Sequence, residues 1–103
     1  MRPSVVRYSR RAEQDLLDIG RYTLETWGVE QADRYLAAVE DFCQRIAESP
    51  LIGKSCAQIH PGLRRMPHGK HMAYYCQTAD GISVSRILHQ SMLPGRDRLE
   101  EAL

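Results

Sequence analysis

Two stretches with helical periodicity meet at Gly28, and this arrangement leaves the chain few possible folds. In the first, which follows Ser9, apolar residues recur at spacings of three and four, as on one face of an amphipathic helix. The second ends before Pro50, because the residue before a proline is pushed out of the helical conformation. The apolar stripes consist of Ala12, Leu16, Ile19, Thr23 and Trp27, and of Ala32, Tyr35, Leu36, Val39, Phe42, Cys43 and Ile46. Since so short a connection joins them, we predict an antiparallel helical hairpin that begins at a Ser9 N-cap and turns at Gly28.

The other segments have the properties of short β-strands. Residues 5–8 are β-branched and aromatic, and further strands are predicted over residues 63–66, 70–77 and 82–89, after a loop over residues 51–62. Pro67 is expected to end the second strand, and Asp80-Gly81 favours a tight turn between the last two. After Pro94-Gly95, the tail from Arg96 to Leu103 is expected to form a frayed helical turn. The order β-α-α-β-β-β predicts an α+β fold, with the helical hairpin packed on one face of a small antiparallel sheet.

Length and composition restrict the class of protein. A chain of 103 residues, of which 43% are hydrophobic and 26% charged, predicts one domain over residues 1–103 with a modest core. It contains neither the roughly 18–20 consecutive apolar residues of a membrane helix nor an apolar signal segment near its start, so we expect a cytoplasmic protein without a membrane contact. Cys43, Cys56 and Cys76 lack CxxC spacing and are expected to be free thiols, with Cys43 and Cys76 in the core. Cys56 and His60 lack a second ligand pair, so no metal is expected, and no cofactor.

The small net charge of +1 hides an uneven distribution of charge. Residues 1–50 carry seven basic and nine acidic side chains, whereas residues 51–103 carry seven basic and four acidic ones. The second half is therefore expected to form a mildly basic surface that suits an acidic partner.

Five local strings occur in a characteristic order along the chain. They are Trp27-Gly28-Val29-Glu30-Gln31-Ala32, Glu48-Ser49-Pro50-Leu51-Ile52-Gly53, Pro61-Gly62-Leu63-Arg64-Arg65, Gly69-Lys70-His71-Met72-Ala73-Tyr74-Tyr75 and Arg86-Ile87-Leu88-His89-Gln90-Ser91-Met92. None is a sharp chemical motif, but together they span nearly the whole chain. In this order they resemble the ParE branch of the RelE/ParE superfamily of toxins.

The resemblance implies the toxin of a type II toxin–antitoxin system, which inhibits DNA gyrase by binding and trapping its DNA-cleavage complex. It also implies a ParD-like antitoxin with an N-terminal ribbon-helix-helix domain that binds DNA and a disordered C-terminal segment that folds over the toxin. The toxin itself would contact DNA only through gyrase or through the antitoxin.

The alternative function is that of the related RelE toxins, which cleave messenger RNA on the ribosome. Such an enzyme must activate a 2′-hydroxyl and stabilise a pentacovalent phosphate, for which it uses basic residues and a tyrosine or histidine. At the matching positions this chain has Met66-Pro67 in place of an arginine, and Gln90 and Ser91 in place of basic residues. We therefore expect a non-catalytic gyrase inhibitor. A third hypothesis is a helper subunit that has lost its toxicity and only forms a regulatory complex.

The residues expected to contact the target lie in the basic second half. They are Arg64, Arg65, Lys70, Arg86, His89 and Gln90. Alternation along a strand places Arg64 and Arg65 on opposite faces. Arg86 is expected on the same side of its strand as Val84 and Leu88, where it either pairs with a helix carboxylate or offers an anion-docking site. His89 is either a hydrogen-bonded structural residue or a target contact or general acid.

Four aromatic residues are candidates for contact with the antitoxin: Tyr22, Trp27, Tyr74 and Tyr75. Tyr22 and Trp27, near the tip of the hairpin, either pack into the core or serve as exposed anchors for a bound peptide. Tyr74 and Tyr75 are predicted to point to opposite faces of the sheet. With two helices on one face, the other face is expected to have no partner within the chain and to mark an interaction site.

Overall fold

The structure, a computed structural model, describes residues 4–92, so the predicted tail from Arg96 to Leu103 lies outside the described residues. The described chain forms β1 (Val5–Tyr8), α1 (Arg10–Trp27), α2 (Val29–Glu48), β2 (Lys54–Ser55), β3 (Leu63–His68), β4 (His71–Thr78) and β5 (Gly81–His89), followed by a 3₁₀ turn (Gln90–Met92). Ser9 caps α1, since its Oγ accepts a hydrogen bond from the Ala12 N–H, as predicted. Gly28 separates the helices at φ 92°, a conformation that favours glycine. The helical hairpin and the α+β class are therefore confirmed.

The five strands form one sheet in the order β1-β5-β4-β3-β2. Three pairings are antiparallel, but β1 runs parallel to β5, so the sheet is mixed rather than antiparallel. No turn joins β1 to β5, and for this reason the local sequence pattern could not set their direction. Instead, the edge strand is held at the β4–β5 turn, where the Val5 N–H donates to the Asp80 carbonyl and Arg7 pairs with the Asp80 carboxylate.

Two predicted segment boundaries are wrong. The loop predicted over residues 51–62 contains β2, a two-residue strand too short to carry a periodic signal. The strand expected to end at Pro67 continues to His68. Because β2 pairs only with Arg64 and Arg65, the outer side of β3 has no strand beyond that point in the described chain. A proline is tolerated at such an edge, where its missing N–H breaks no ladder bond.

Side chains form one core on each face of the sheet. The main core packs the hairpin against β5 and β4, and includes Val39, Cys43, Tyr75, Ile82 and Val84. The second core, on the other face, consists of Cys56, Leu63, Tyr74 and Leu88, with Ile59, Met72 and Cys76 packed against it. Tyr74 and Tyr75 do lie on opposite faces, but the expectation of an uncovered second face is wrong. The segment from Cys56 to Leu63 covers it and leaves Tyr74 only 1% exposed.

A β-bulge in β5 changes which side chains share a face. Tyr75 pairs with Val84 and Tyr74 with Arg86, which leaves Ser85 as an extra residue. Val84 consequently belongs to the main core and Leu88 to the second core. The prediction that both residues flank Arg86 on one side of the strand is therefore wrong.

The three cysteines are buried or half-buried, as expected for Cys43 and Cys76. Cys43 is buried and Cys76 is half-buried, while Cys56 is also buried; all three are free thiols.

Trp27 is 70% exposed, so the buried stripe of α1 ends at Thr23 rather than at Trp27. Neither described helix has the length and apolar character needed to cross a membrane.

Candidate functional site

The start of α1 lies along the free edge of β5 and satisfies its backbone. Beyond Val84, β5 has no pairing with β1. There, Ser9 Oγ donates to the Ser85 carbonyl at 2.7 Å, and Asp15 Oδ2 accepts from the Ile87 N–H at 2.9 Å. Asp15 is only 6% exposed. A carboxylate and a hydroxyl at the start of α1 therefore satisfy backbone groups that no strand within residues 4–92 pairs at this edge.

Arg86 pairs with the same carboxylate. Its Nε lies 2.8 Å from Asp15 Oδ2 and its Nη2 lies 2.9 Å from Asp15 Oδ1, a two-point arrangement that matches the two planar groups. These hydrogen bonds to Asp15 raise the pKa of Arg86. Of the two roles considered for Arg86, the geometry favours pairing with a helix carboxylate over a free anion-docking site.

Arg64 is also engaged within the chain. Its guanidinium donates to the carbonyls of Gly53, at 2.7 Å, and Leu51, at 3.4 Å. On the same segment, the Tyr75 hydroxyl donates to the Pro50 carbonyl and accepts from the Gly53 N–H. Arg64 and Tyr75 together hold the connection between α2 and β2, and Tyr75 is fully buried.

Arg65 points to the opposite face, as alternation predicts. Its side chain lies beside the Tyr74 hydroxyl; burial raises the pKa of that hydroxyl, and the hydrogen bond from Arg65 lowers it in part. Arg65 pairs across the strands with Lys54, an exposed residue that sequence reasoning missed because β2 is too short to recognise. Lys70 is exposed in the β3–β4 turn.

Three histidines line up across β3, β4 and β5 at the end of the sheet. His71 pairs in register with both His68 and His89, and its ring meets that of His89 edge to face at 5.2 Å. From α2, the Tyr35 hydroxyl contacts His71 Nδ1, and Phe42 packs against His68. Neither the cluster nor its aromatic cover was anticipated, because the register that assembles it does not follow from spacing.

His89 and Gln90 complete this end of the sheet. His89 Nδ1 accepts from the Ser91 N–H at 3.0 Å and contacts the Ser91 hydroxyl at 2.7 Å, the hydrogen-bonded arrangement that was one of its predicted roles. The Gln90 N–H donates to the Lys70 carbonyl, while the Gln90 side chain is exposed. Among residues 4–92, no group of three or more histidine, cysteine, aspartate or glutamate side chains has an arrangement that could hold a metal ion.

Acidification is expected to destabilise the fold through His71. Burial, and next the charges of His89 and His68, lower the pKa of His71 in the folded chain. At a pH near the ordinary histidine pKa of about 6.5, the unfolded chain therefore binds more protons than the folded chain, so stability is lost as the pH falls below that value.

Urea titrations between about pH 5 and pH 8 should show this loss of stability in the wild type and a smaller loss in His71→Gln. His60→Gln, which removes an exposed histidine, should keep the wild-type profile; identical profiles for His71→Gln and the wild type would refute the assignment.

The outer face of the hairpin carries an apolar groove between α1 and α2. The groove has a volume of about 340 Å³ and is lined by residues that include Leu17, Gly20, Leu24, Val29 and Leu36. Leu17, Leu24 and Val29 are 64%, 46% and 62% exposed, which is unusual for leucine and valine on one continuous surface.

The two aromatic residues near the hairpin tip differ in their relation to this groove. Trp27 follows Leu24 by three residues and extends the same helix face. Tyr22 is 65% exposed but does not line the groove. Of the alternatives considered for Tyr22 and Trp27, the geometry favours exposure over packing in the core.

Comparison with known proteins identifies the family. Residues 6–94 match the family model described as the ParE toxin of the type II toxin–antitoxin system parDE. The chain belongs to this family. A Toxin ParE1 of Mycobacterium tuberculosis is 40% identical over 85 residues, which cover 82% of this chain and 87% of that protein. A Toxin ParE of Escherichia coli is 35% identical over 83 residues, or 79% of this chain and 80% of that protein.

A solved structure also shares the ParE fold. A structure of the chromosomal ParDE TA system from P. aeruginosa aligns with a TM-score of 0.69 at 18% identity, covering 84% of this chain and 96% of that chain. The family model and the relatives identify the chain as a member of the ParE toxins of type II toxin–antitoxin systems, as its local strings predicted, and the solved structure agrees in fold.

Proposed function

We propose that this ParE toxin inhibits DNA gyrase by binding, and that it traps the complex in which gyrase holds cleaved DNA. Membership of the ParE family carries the proposal. The engagement of Arg64 and Arg86 supports it, because both arginines donate to groups of the chain itself rather than converging on one point. A ribonuclease of the RelE kind needs several cations around one phosphate.

The target contacts are proposed on the basic end of the sheet. Of the six predicted contact residues, Lys70 and Gln90 are exposed and the other four are partly exposed. Arg64 and Arg86 differ from the rest because their guanidinium groups are engaged within the chain. The positive charge of this surface suits gyrase in its DNA-engaged state, in which phosphates lie close to the protein. No step of this mechanism requires a catalytic group.

The antitoxin is proposed to occupy the groove on the outer face of the helical hairpin. A ParD-like antitoxin would place an apolar, disordered C-terminal segment along Leu17, Leu24 and Val29, with Trp27 as an aromatic anchor at the tip. Its ribbon-helix-helix domain would bind DNA. Tyr74 and Tyr75, the other predicted antitoxin contacts, are buried in the second and the main core and do not line this groove. Both complexes would form in the cytoplasm.

Induction of the toxin in cells without the antitoxin tests this proposal. Growth should stop with broken chromosomes, which pulsed-field electrophoresis detects, and mapping of RNA 5′ ends should find no new cuts in translated messages. Message cleavage with intact chromosomes would instead establish the RelE-like activity. Unchanged growth, with intact chromosomes and uncut messages, would favour the non-toxic helper subunit. Simultaneous expression of a ParD-like antitoxin that binds this toxin should restore growth.

A further inference from the structure

We propose that Lys54 and Arg65, on the face of the sheet away from the helices, and Lys70, in the β3–β4 turn, form a binding site for the phosphate backbone of duplex DNA. This site would let the toxin contact DNA directly, not only through gyrase or the antitoxin, and the inference stands without gyrase as the target.

The first support is an unfavourable charge pair. Lys54 and Arg65 are direct cross-strand partners, and like charges that face each other across two strands destabilise a sheet. Alternation places both on the face of the second core, because Cys56 and Leu63, two residues away from each, belong to it. The next position in this row is Tyr74, the cross-strand partner of Arg65, whose hydroxyl lies beside the Arg65 side chain.

The second support is the absence of neutralising groups. Residues 49–79 contain no aspartate or glutamate, but they contain four lysines and arginines. The ion pairs found within residues 4–92 join Arg7 to Asp80, Arg34 to Glu30 and Arg86 to Asp15. None of them involves the three proposed residues, so their charge is available to an external anion. Bound phosphates would relieve the repulsion between Lys54 and Arg65.

The spacing of the three cations fits the groove of a duplex. Lys70 comes four residues before Tyr74, the cross-strand partner of Arg65, which places it about 13 Å from Arg65 along the sheet at the rise of roughly 3.3 Å per strand residue. This separation is close to the width of the DNA major groove, about 12 Å. The Lys54–Arg65 pair would contact a phosphate of one strand, and Lys70 would contact one across the groove.

Fluorescence anisotropy of a labelled duplex of about 20 base pairs, titrated with the toxin alone between about 50 and 200 mM salt, tests the site. The wild type should bind at low salt, and Lys54→Gln/Arg65→Gln should bind about tenfold more weakly. The slope of log K against the logarithm of the salt concentration should be smaller in magnitude by about two in the double variant. Glutamine at position 65 keeps a donor for Tyr74. Since the double variant removes a like-charge contact, its melting temperature should be unchanged or higher.

The matched control is Arg10→Gln/Arg21→Gln, which removes two exposed cations from α1 and should bind within about twofold of the wild type. The site is refuted if the wild type fails to bind at low salt, or if the control loses as much affinity as the test variant. Tighter binding to a single-stranded RNA of equal length would refute the duplex as its ligand. Gyrase is absent from this assay, so its outcome is independent of the proposed function.

Discussion

Replacement of Asp15 by alanine is expected to lower the free energy of unfolding by about 3–5 kcal/mol. The Asp15 side chain is 7% exposed and that of Arg86 19% exposed, so the variant would leave a largely buried guanidinium without its carboxylate. It would also leave the Ile87 N–H, at the unpaired edge of β5, without an acceptor. Urea denaturation followed by circular dichroism at neutral pH measures the change.

Two further variants give this prediction its controls. Glu25→Ala removes an exposed carboxylate from the same helix and should change stability by less than about 0.5 kcal/mol. Arg86→Met added to Asp15→Ala should recover part of the loss, since a buried apolar side chain replaces the guanidinium that has lost the Asp15 carboxylate. If Asp15→Ala were as stable as Glu25→Ala, the pairing would have no structural role.

The second large effect is expected at the hairpin groove. Leu17→Glu/Leu24→Glu places two carboxylates where the proposed antitoxin segment buries two leucines, each worth about 1.5–3 kcal/mol of burial. Affinity for the antitoxin encoded next to the toxin gene should therefore fall by about 100-fold or more, since each 1.4 kcal/mol is a factor of about ten. Isothermal titration calorimetry measures it, and both positions are exposed, so the toxin should remain folded.

Leu51→Glu is the matched control for this second prediction. Leu51 is also 64% exposed, but it lies after α2 and does not line the groove. It should bind the antitoxin like the wild type. Full affinity in the groove variant, or an equal loss in Leu51→Glu, would place the antitoxin elsewhere.

The helical hairpin was predictable because its signals are local. Ser9, Gly28 and Pro50 mark helix ends through their own backbone chemistry, and the apolar stripes lie within single elements. The parallel pairing of β1 with β5 was not predictable, because it joins residues more than seventy positions apart with no turn to set their direction. The bulge at Ser85 was equally invisible, although it decides the face on which Leu88 lies.

The site was predictable only as a set of residue types. Sequence correctly located a basic second half, but charge alone could not separate Arg86, which pairs with Asp15, from Arg65, which stands beside Lys54. That distinction depends on register and on contacts with α1. The sequence could not decide between burial and exposure of Trp27. Helical spacing places it on the buried stripe of α1, but α2 begins only two residues later and leaves it uncovered.

The central claim, that this toxin acts on gyrase, is tested most directly by incubating the purified toxin with gyrase and negatively supercoiled plasmid. After denaturation and protease digestion, linear DNA should appear in amounts that rise with toxin concentration, require gyrase, and vanish when the antitoxin is added first. Plasmid that stays intact, together with cutting of messenger RNA on ribosomes by the same preparation, would contradict the account.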